Sequence, residues 1–243
     1  MADETQAGRP RTVWERPDRG TRGPAPERSR AQITSAAIEL ADQGGLDALS
    51  LRALAKRLGT GPASLYRYVS GRDDLLDLMA DAVVGEIDLD VPLCGDPVTD
   101  LTGLAVRAKA VHLRHPWLAE LAPEPLRVGP NGLAYADRAL AALEPAGLDG
   151  RAALEAVAVM SALVTVFART ELQARRTPTE RQTAQAAYLA SAAAGGRYPR
   201  LAAALAGGAS ADPLGDADAL FTRIMRAVLT GLTGPDTTRR PGG

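Results

Sequence analysis

Side chains that can contact nucleic acid are concentrated between residues 50 and 72, in the stretch SLRALAKRLGTGPASLYRYVSGR. Helical spacing in its second half places Ser64, Arg67 and Tyr68 on one face, with Tyr66 beside them. Hydroxyl and guanidinium groups donate hydrogen bonds to phosphate oxygens and to base edges. The pattern predicts a helix–turn–helix whose outer face fits the major groove of DNA.

Cap and turn signals divide this stretch into two short helices. Ser50 stands where an N-cap would open the first helix, and Gly59 stands where a left-handed residue would end it. We expect Thr60 to cap the second helix and Pro62 to lie in its first turn, where a missing N–H is harmless.

Longer helices are predicted on both sides of this pair. Ser29 and Gln32 form a capping box that opens a helix stopped by the glycines at 44–45. Ser70 with Asp73 predicts a second box, whose helix leads out of the DNA-binding unit towards the rest of the chain.

The N-terminal unit, residues 28–88, resembles the DNA-binding domain of the TetR (tetracycline-repressor-like) family of transcriptional regulators. The resemblance is carried by AAIELADQGGLDALSLRALAKRLGTGPASLYRYVSGRDDLLDLM, which holds the pattern LxLRxLAxxLGxxxxSLYxYVxxxxxLL. It implies a homodimer that places one recognition helix in each half-site of a DNA operator. It also implies a C-terminal domain that binds a small molecule, whose binding releases the DNA.

Carried over position by position, the resemblance also implies which side chains contact DNA. Those at the family's contact positions are Arg52, Thr60, Pro62, Ala63, Ser64, Tyr66, Arg67, Tyr68 and Arg72. For Arg67, contact with a guanine edge and contact with phosphate both remain open.

Positive charge is concentrated in this same unit. Residues 28–72 hold seven cations against three carboxylates, a net charge of +4, in a chain of net charge −1. Residues 1–27 are rich in Gly, Pro and Arg, and we interpret them as a disordered basic arm. The arm follows the DNA backbone or minor groove through Arg16, Arg19 and Arg22, or it is an inert tail.

The C-terminal unit, residues 96–233, is predicted to be all-helical. A long helix begins after Asp149 and is apolar on nearly every side over residues 152–168, so it must be covered by several neighbours. We expect it to pair with the last helix, residues 216–232, and with their symmetry mates in a four-helix dimer bundle. The runs HPWLAEL and GPNGLAYADRALAALEPAGLDGRAAL resemble the C-terminal domain of the same family, and residues 234–243 form a disordered tail.

A small-molecule pocket is mostly apolar with a few polar groups, which suggests five wall residues. These are His112, Trp117, Tyr135, Met160 and Phe167; for each of them, ordinary core packing is the alternative. His112 and His115 are the only histidines, and no third ligand accompanies them, so we predict no metal and no cofactor. One histidine should line the pocket and the other should face solvent.

Composition and motifs exclude other classes of protein. No P-loop, Rossmann fingerprint or G-x-S-x-G is present, so we predict that the chain is not an enzyme. We expect no membrane span, on the ground that Arg and Glu interrupt every apolar stretch, and the single cysteine favours a cytoplasmic protein. The sequence predicts an all-α, ligand-responsive repressor; an activator or an effector-independent architectural DNA-binding protein is the alternative.

Overall fold

The computed structural model describes residues 12–15, 29–121, 129–206 and 216–234. Every regular element in these ranges is helical, which confirms the predicted all-α fold. The α-helices are α1 (Arg30–Ala48), α2 (Leu51–Leu58), α3 (Pro62–Leu65), α4 (Arg72–Val84), α5 (Pro97–Arg114), α6 (Pro130–Leu143), α7 (Gly150–Arg176), α8 (Thr179–Ala194), α9 (Pro199–Ala206) and α10 (Ala217–Thr233). Short 3-10 turns lie at Val13–Glu15, Pro116–Glu120 and Glu144–Ala146.

Hydrogen bonds at the helix ends confirm three predicted signals in the N-terminal unit. The Ser29 hydroxyl accepts from the N–H of Gln32, whose side chain accepts in return from the Ser29 N–H. The Ser50 hydroxyl accepts from the N–H of Ala53 at 3.0 Å. Gly59 ends α2 in the left-handed region, at φ 64°. Since one N-cap contributes about 1 kcal/mol, Ser29 and Ser50 largely determine where α1 and α2 begin, and Gly59 determines where α2 ends.

Helix α1 continues past the glycine pair at which we predicted its end. The backbone turns at Gly45, where φ is 70° and ψ is −177°, and helical structure then resumes to Ala48. A left-handed φ is inexpensive only for glycine, so residues 46–48 form a separate final turn after a kink.

Two other predicted caps in this unit are wrong. Gly61, not Thr60, is the N-cap of α3, and it makes no side-chain capping bond. At α4, Asp74 instead of Asp73 accepts hydrogen bonds from the N–H and the hydroxyl of Ser70. A carboxylate still lies at the positive end of the α4 dipole, so the favourable electrostatics are kept although the partner differs.

Helix α5 is the central helix of the C-terminal unit. It packs against α6, α7, α10 and the turn Pro116–Glu120. Its inner face is apolar, and Leu101 and Leu104 on this face are no more than 2% exposed. Burying one such side chain contributes about 1.5–3 kcal/mol, so the apolar spacing along α5 holds it inside the bundle.

Helix α7 corrects one expectation. An 18-residue window within it has a mean hydropathy of 1.7 and at most two charged residues, so charges do not interrupt every apolar stretch. Length and composition alone would let it cross a membrane, but the core helix of a soluble protein passes the same test. Only 28% of this window is buried within one chain. Leu154, Val159 and Val166 on α7 are exposed apolar side chains of the kind that mark an interaction site.

A buried lysine joins three helices of the C-terminal unit. Lys109 of α5 is 2% exposed, and its Nζ lies 2.7 Å from carboxylate oxygens of Glu171 in α7 and Asp218 in α10. Burial disfavours the charged amine, but hydrogen bonds to Asp218 and Glu171 outweigh it and raise the pKa of Lys109. Charge therefore adds to packing in holding α10 against α5 and α7.

A buried carboxylate links the N-terminal unit to the C-terminal unit. Asp81 of α4 is 4% exposed and accepts from the Gly132 N–H at 2.9 Å and the Asn131 side-chain amide at 3.0 Å. Both donors belong to the first turn of α6, where the helix dipole favours negative charge. A Cβ at Gly129 would overlap this carboxylate. Helices α4 and α6 therefore meet through a carboxylate seated on a helix N-terminus.

Gly129→Ala should destabilise the fold, because the added methyl group would displace the Asp81 carboxylate from α6. Overpacking a buried contact costs about 1–3 kcal/mol, and we expect urea denaturation to show a loss of that size. Gly150→Ala is the matched control, since a Cβ there meets nothing within 4 Å. Equal stabilities of the two variants would contradict the close contact at Gly129.

Candidate nucleic-acid interface

Helix α3 presents most of its predicted contact residues to solvent. It is a single turn in which Pro62 and Ala63 are exposed. Tyr66, directly after it, is 59% exposed, and Arg67 is exposed beside it. Leu65 is only 1% exposed, so the inward side of this turn is held in the core. The burial of Leu65 therefore fixes the backbone that carries the exposed Tyr66 and Arg67 side chains.

Hydroxyl groups close the turn that leads into α3. The Oγ1 of Thr60 and the Oγ of Ser64 are 2.7 Å apart, and the Ser64 hydroxyl donates to the Gly61 carbonyl at 2.7 Å. Both predicted contact residues therefore help to set the path of the turn. Hydroxyl oxygens can make more than one hydrogen bond, so this role does not prevent contact with phosphate.

Two of the predicted contact residues, Arg72 and Tyr68, turn their side chains towards the protein. Arg72 donates from Nη1 to the Leu49 carbonyl at 2.6 Å and from Nη2 to the Leu46 carbonyl at 2.8 Å. Its guanidinium therefore ties the start of α4 to two carbonyls at the end of α1, one of which, that of Leu46, also accepts from the Leu49 N–H. Tyr68 is half-buried and packs against the core. In this structure, both side chains position the helix–turn–helix.

Cations of α2 extend the positive surface. Arg52, in the first turn, and Lys56, in the last, are both exposed. Arg57 forms an ion pair with Glu39 of α1, which fixes its position. Exposed pairs of this kind add little stability. The exposed cations of α2 contribute to function through their charge, because cations on one face attract the phosphates of a duplex.

Part of the predicted disordered arm is ordered. Val13–Glu15 form a 3-10 turn next to α4, and Val13 is 1% exposed in the same core as α1 and α4. Arg16, Arg19 and Arg22 lie outside the described residues. The residues just before them are thus anchored on the N-terminal unit.

One buried histidine joins the C-terminal unit to α1 and to the chain after α4. His115 is 5% exposed; its Nδ1 lies 2.8 Å from Asp42 and its Nε2 lies 3.2 Å from Glu86. The Trp117 Nε1–H donates to the same Asp42 oxygen at 2.7 Å. We call these four residues the joint.

The joint corrects the expectation that one histidine faces solvent. His115 is buried, and His112 is half-buried with its Nδ1 placed 3.0 Å from the Ala108 carbonyl. The carboxylates of Asp42 and Glu86 lie against opposite nitrogens of the His115 ring. They do not converge on one point, as the ligands of a metal ion must.

Four of the residues predicted to line an effector pocket lie in or against one core. Met160 and Trp117 are buried in it, Tyr135 and Phe167 pack against it, and Trp117 also donates to Asp42 in the joint. Burial raises the pKa of the Tyr135 phenol to about 12, against a hydrogen bond with Ser161 that lowers it. The phenol is therefore a neutral hydrogen-bond donor at physiological pH.

Sequence reasoning missed the acidic residues that connect the two units. The sequence pattern could have identified Asp81, because it is an acidic residue among the regularly spaced apolar residues of α4. No comparable pattern marks Asp42 or Glu86. The partners of Asp42, His115 and Trp117, lie 73 and 75 positions away along the chain, so only the tertiary fold brings them together.

Family comparisons match both units. The family described as "Bacterial regulatory proteins, tetR family" matches residues 33–79, and "Tetracyclin repressor-like, C-terminal domain" matches residues 94–234. The matched families and relatives are transcriptional regulators, not enzymes. The first match runs from within α1 to within α4, and the second spans α5 to α10.

Two curated relatives carry the same type of description. The HTH-type transcriptional repressor DrrR1 of Streptomyces coeruleorubidus is 34% identical over 198 residues, which is 78% of this chain and 73% of that protein. An HTH-type transcriptional regulator of Saccharopolyspora erythraea is 41% identical over 157 residues, which is 65% of this chain and 66% of that protein.

Solved structures of ActR from Streptomyces coelicolor share the fold of both units. Apo ActR has a TM-score of 0.71 and 31% identity, covering 87% of this chain and 99% of ActR. ActR in complex with actinorhodin has a TM-score of 0.73 and 29% identity, covering 88% of this chain and 99% of ActR.

His115→Phe should weaken the joint, because it keeps a ring but removes the hydrogen-bonding partner of Asp42 and Glu86. Because Asp42 and Glu86 are partly exposed, water can replace the lost partner, so urea denaturation should show a loss of about 0.5–1.5 kcal/mol in the free energy of unfolding. His112→Phe is the control, since it changes the other histidine, which is not one of the four joint residues and whose Nδ1 lies against the Ala108 carbonyl. If both variants are as stable as the parent chain, the joint does not hold the units together.

Proposed function

The chain belongs to the TetR family of bacterial regulatory proteins, and on that premise we propose that it is a repressor which binds a palindromic operator as a homodimer. It combines a helix–turn–helix DNA-binding domain with a helical ligand-binding domain. In the proposed cycle, a small molecule bound to the second domain lowers the affinity of the first for its operator, in the cytoplasm.

The exposed face of α3 is the observation that carries the proposal. Tyr66 and Arg67 project from a turn whose other side is buried through Leu65, and Arg52 adds charge from α2. Such a face can enter a major groove as a rigid body, because its backbone need not be reordered on binding. Arg67 is the side chain best suited to a base edge, since a guanidinium can donate two parallel hydrogen bonds to guanine.

The uncovered surface of α7 supports a homodimer. Val159 and Val166 are 38% and 57% exposed and lie seven positions apart, on one side of a helix that is mostly apolar. On α10, the half-buried Leu220 and Ile224 lie on one stripe. A second copy would cover both helices in a four-helix bundle and present two α3 helices about 34–36 Å apart, one turn of duplex.

The two links between the units offer a route from ligand to DNA. Asp81 couples α4 to α6, and α6 carries Tyr135 of the predicted effector region. Asp42 couples α1 to the end of α5 through His115. A ligand that favours one arrangement of these contacts shifts the population towards it, and operator affinity changes by the difference in ligand affinity between the two states.

Arg67→Ala should weaken operator binding by about 1–3 kcal/mol if Arg67 reads a base. The measurement is fluorescence anisotropy with a palindromic duplex from the gene's own upstream region, beside a scrambled duplex of equal length. Arg151→Ala is the matched control, because Arg151 is an exposed arginine at the far end of α7, paired with Glu155. Equal weakening on both duplexes would assign Arg67 to phosphate, and parent protein with no preference for the palindrome would refute the proposed repressor.

Val166→Glu should convert the dimer to a monomer, because two glutamates would be buried in an apolar interface without partners. Light scattering after size exclusion should show half the parent mass, and operator affinity should fall with it. Leu133→Glu places the same charge at another exposed apolar residue, 49% exposed against 57% for Val166, on α6 instead of α7. This control should leave the mass unchanged; a dimeric Val166→Glu would place the interface elsewhere.

A further inference from the structure

A cleft of about 850 Å³ lies where the turn Pro116–Glu120, the end of α7 and the start of α8 meet. That volume is in the range of small-molecule sites. None of the five side chains predicted to contact an effector lines it. Three arginines do, namely Arg169, Arg176 and Arg181, and we call it the arginine cleft.

The charge of the arginine cleft is unbalanced. Among the described residues that line it, Glu120 is the one carboxylate, and it lies 3.6 Å from Arg176. Arg169 is fixed by hydrogen bonds from Nε and Nη2 to the Ala119 carbonyl, at 3.0 and 2.6 Å. Two arginines of α7 and one of α8 form a site that favours an anion, and guanidinium geometry suits a carboxylate in particular.

The remaining lining favours a flat organic anion over a bare inorganic ion. Leu172 and Pro178 supply apolar surface, and the side chains of Gln173 and Gln185 supply amide donors and acceptors. The planar faces of guanidinium groups also stack on aromatic rings. An aromatic ring that carries a carboxylate satisfies both parts of this lining.

The arginine cleft shares residues with a second cleft that reaches the N-terminal unit. Pro116, Glu120 and Arg176 line both, and the second cleft, of about 380 Å³, is completed by the end of α1, including Asp42. Asp42 is also the acceptor for His115 and Trp117 in the joint. A ligand that draws Arg176 away from Glu120 therefore changes a surface that α1 contacts.

We propose that the arginine cleft binds an aromatic carboxylate and that this binding acts on the DNA-binding unit through the joint. The proposal rests on the proposed function only for its second half, the effect on operator affinity. Its first half, selective binding of an anion, is a property of the C-terminal unit in the full chain.

The test compares two probes of the same shape, 2-naphthoate and the uncharged 2-naphthamide, by isothermal titration with the full chain. The acid should bind about fivefold or more tightly than the amide, and added salt should reduce that difference. Arg176→Gln/Arg181→Gln should remove the preference for the acid. Arg175→Gln should retain it, because Arg175 is a neighbouring arginine that pairs with Glu171 outside the cleft.

Equal affinities for the acid and the amide, or binding of neither, would overturn the site, and the parent chain alone decides this even if a variant fails to fold. Loss of the preference in Arg175→Gln as well would also overturn it.

Operator affinity measured in the same samples separates the proposed anion site from the proposed repressor function. Intact operator binding without anion preference refutes the cleft alone, whereas anion preference without any operator binding refutes the proposed function alone. Anion binding that leaves operator affinity unchanged overturns the coupling.

Discussion

Buried polar contacts between the two units are the constraint on which the rest of the structure depends. Asp81 carries a buried carboxylate that must find donors, because an unpaired buried charge is far more costly than a lost apolar contact. Asp42 is partly exposed, and its carboxylate accepts from the buried His115 and Trp117 side chains. Their donors come from the other unit: His115 and Trp117 for Asp42, and the first turn of α6 for Asp81. Apolar packing would tolerate sliding, whereas these directional bonds specify one relative placement.

That requirement connects stability with regulation. A directional contact has a small number of good geometries, so a ligand that changes one geometry shifts the equilibrium between discrete states. Lys109 applies the same principle within the C-terminal unit, where it holds α7 and α10 to α5. The helices that we propose to form the dimer are therefore tied to the helix whose end supplies His115.

Local signals predicted much of the fold, and tertiary contacts account for the rest. Ser29, Ser50 and Gly59 act within a few residues, so their roles were visible in the sequence. Of the candidate interface, the exposure of Tyr66 and Arg67 followed from helical spacing. The inward orientation of the Arg72 side chain could not be predicted from helical spacing, because its acceptors lie 23 and 26 positions earlier in the chain. The arginine cleft was equally invisible, since it assembles side chains from three separate elements.

Hydroxyl-radical footprinting of the gene's own upstream region tests the central claim most directly, because it reports where the duplex is contacted and with what symmetry. Two-fold symmetric binding predicts two equal protected segments centred about one helical turn apart, at 34–36 Å. The segments should appear together as protein is added. A single protected segment, or even protection along the whole duplex, would contradict a dimer that reads two half-sites.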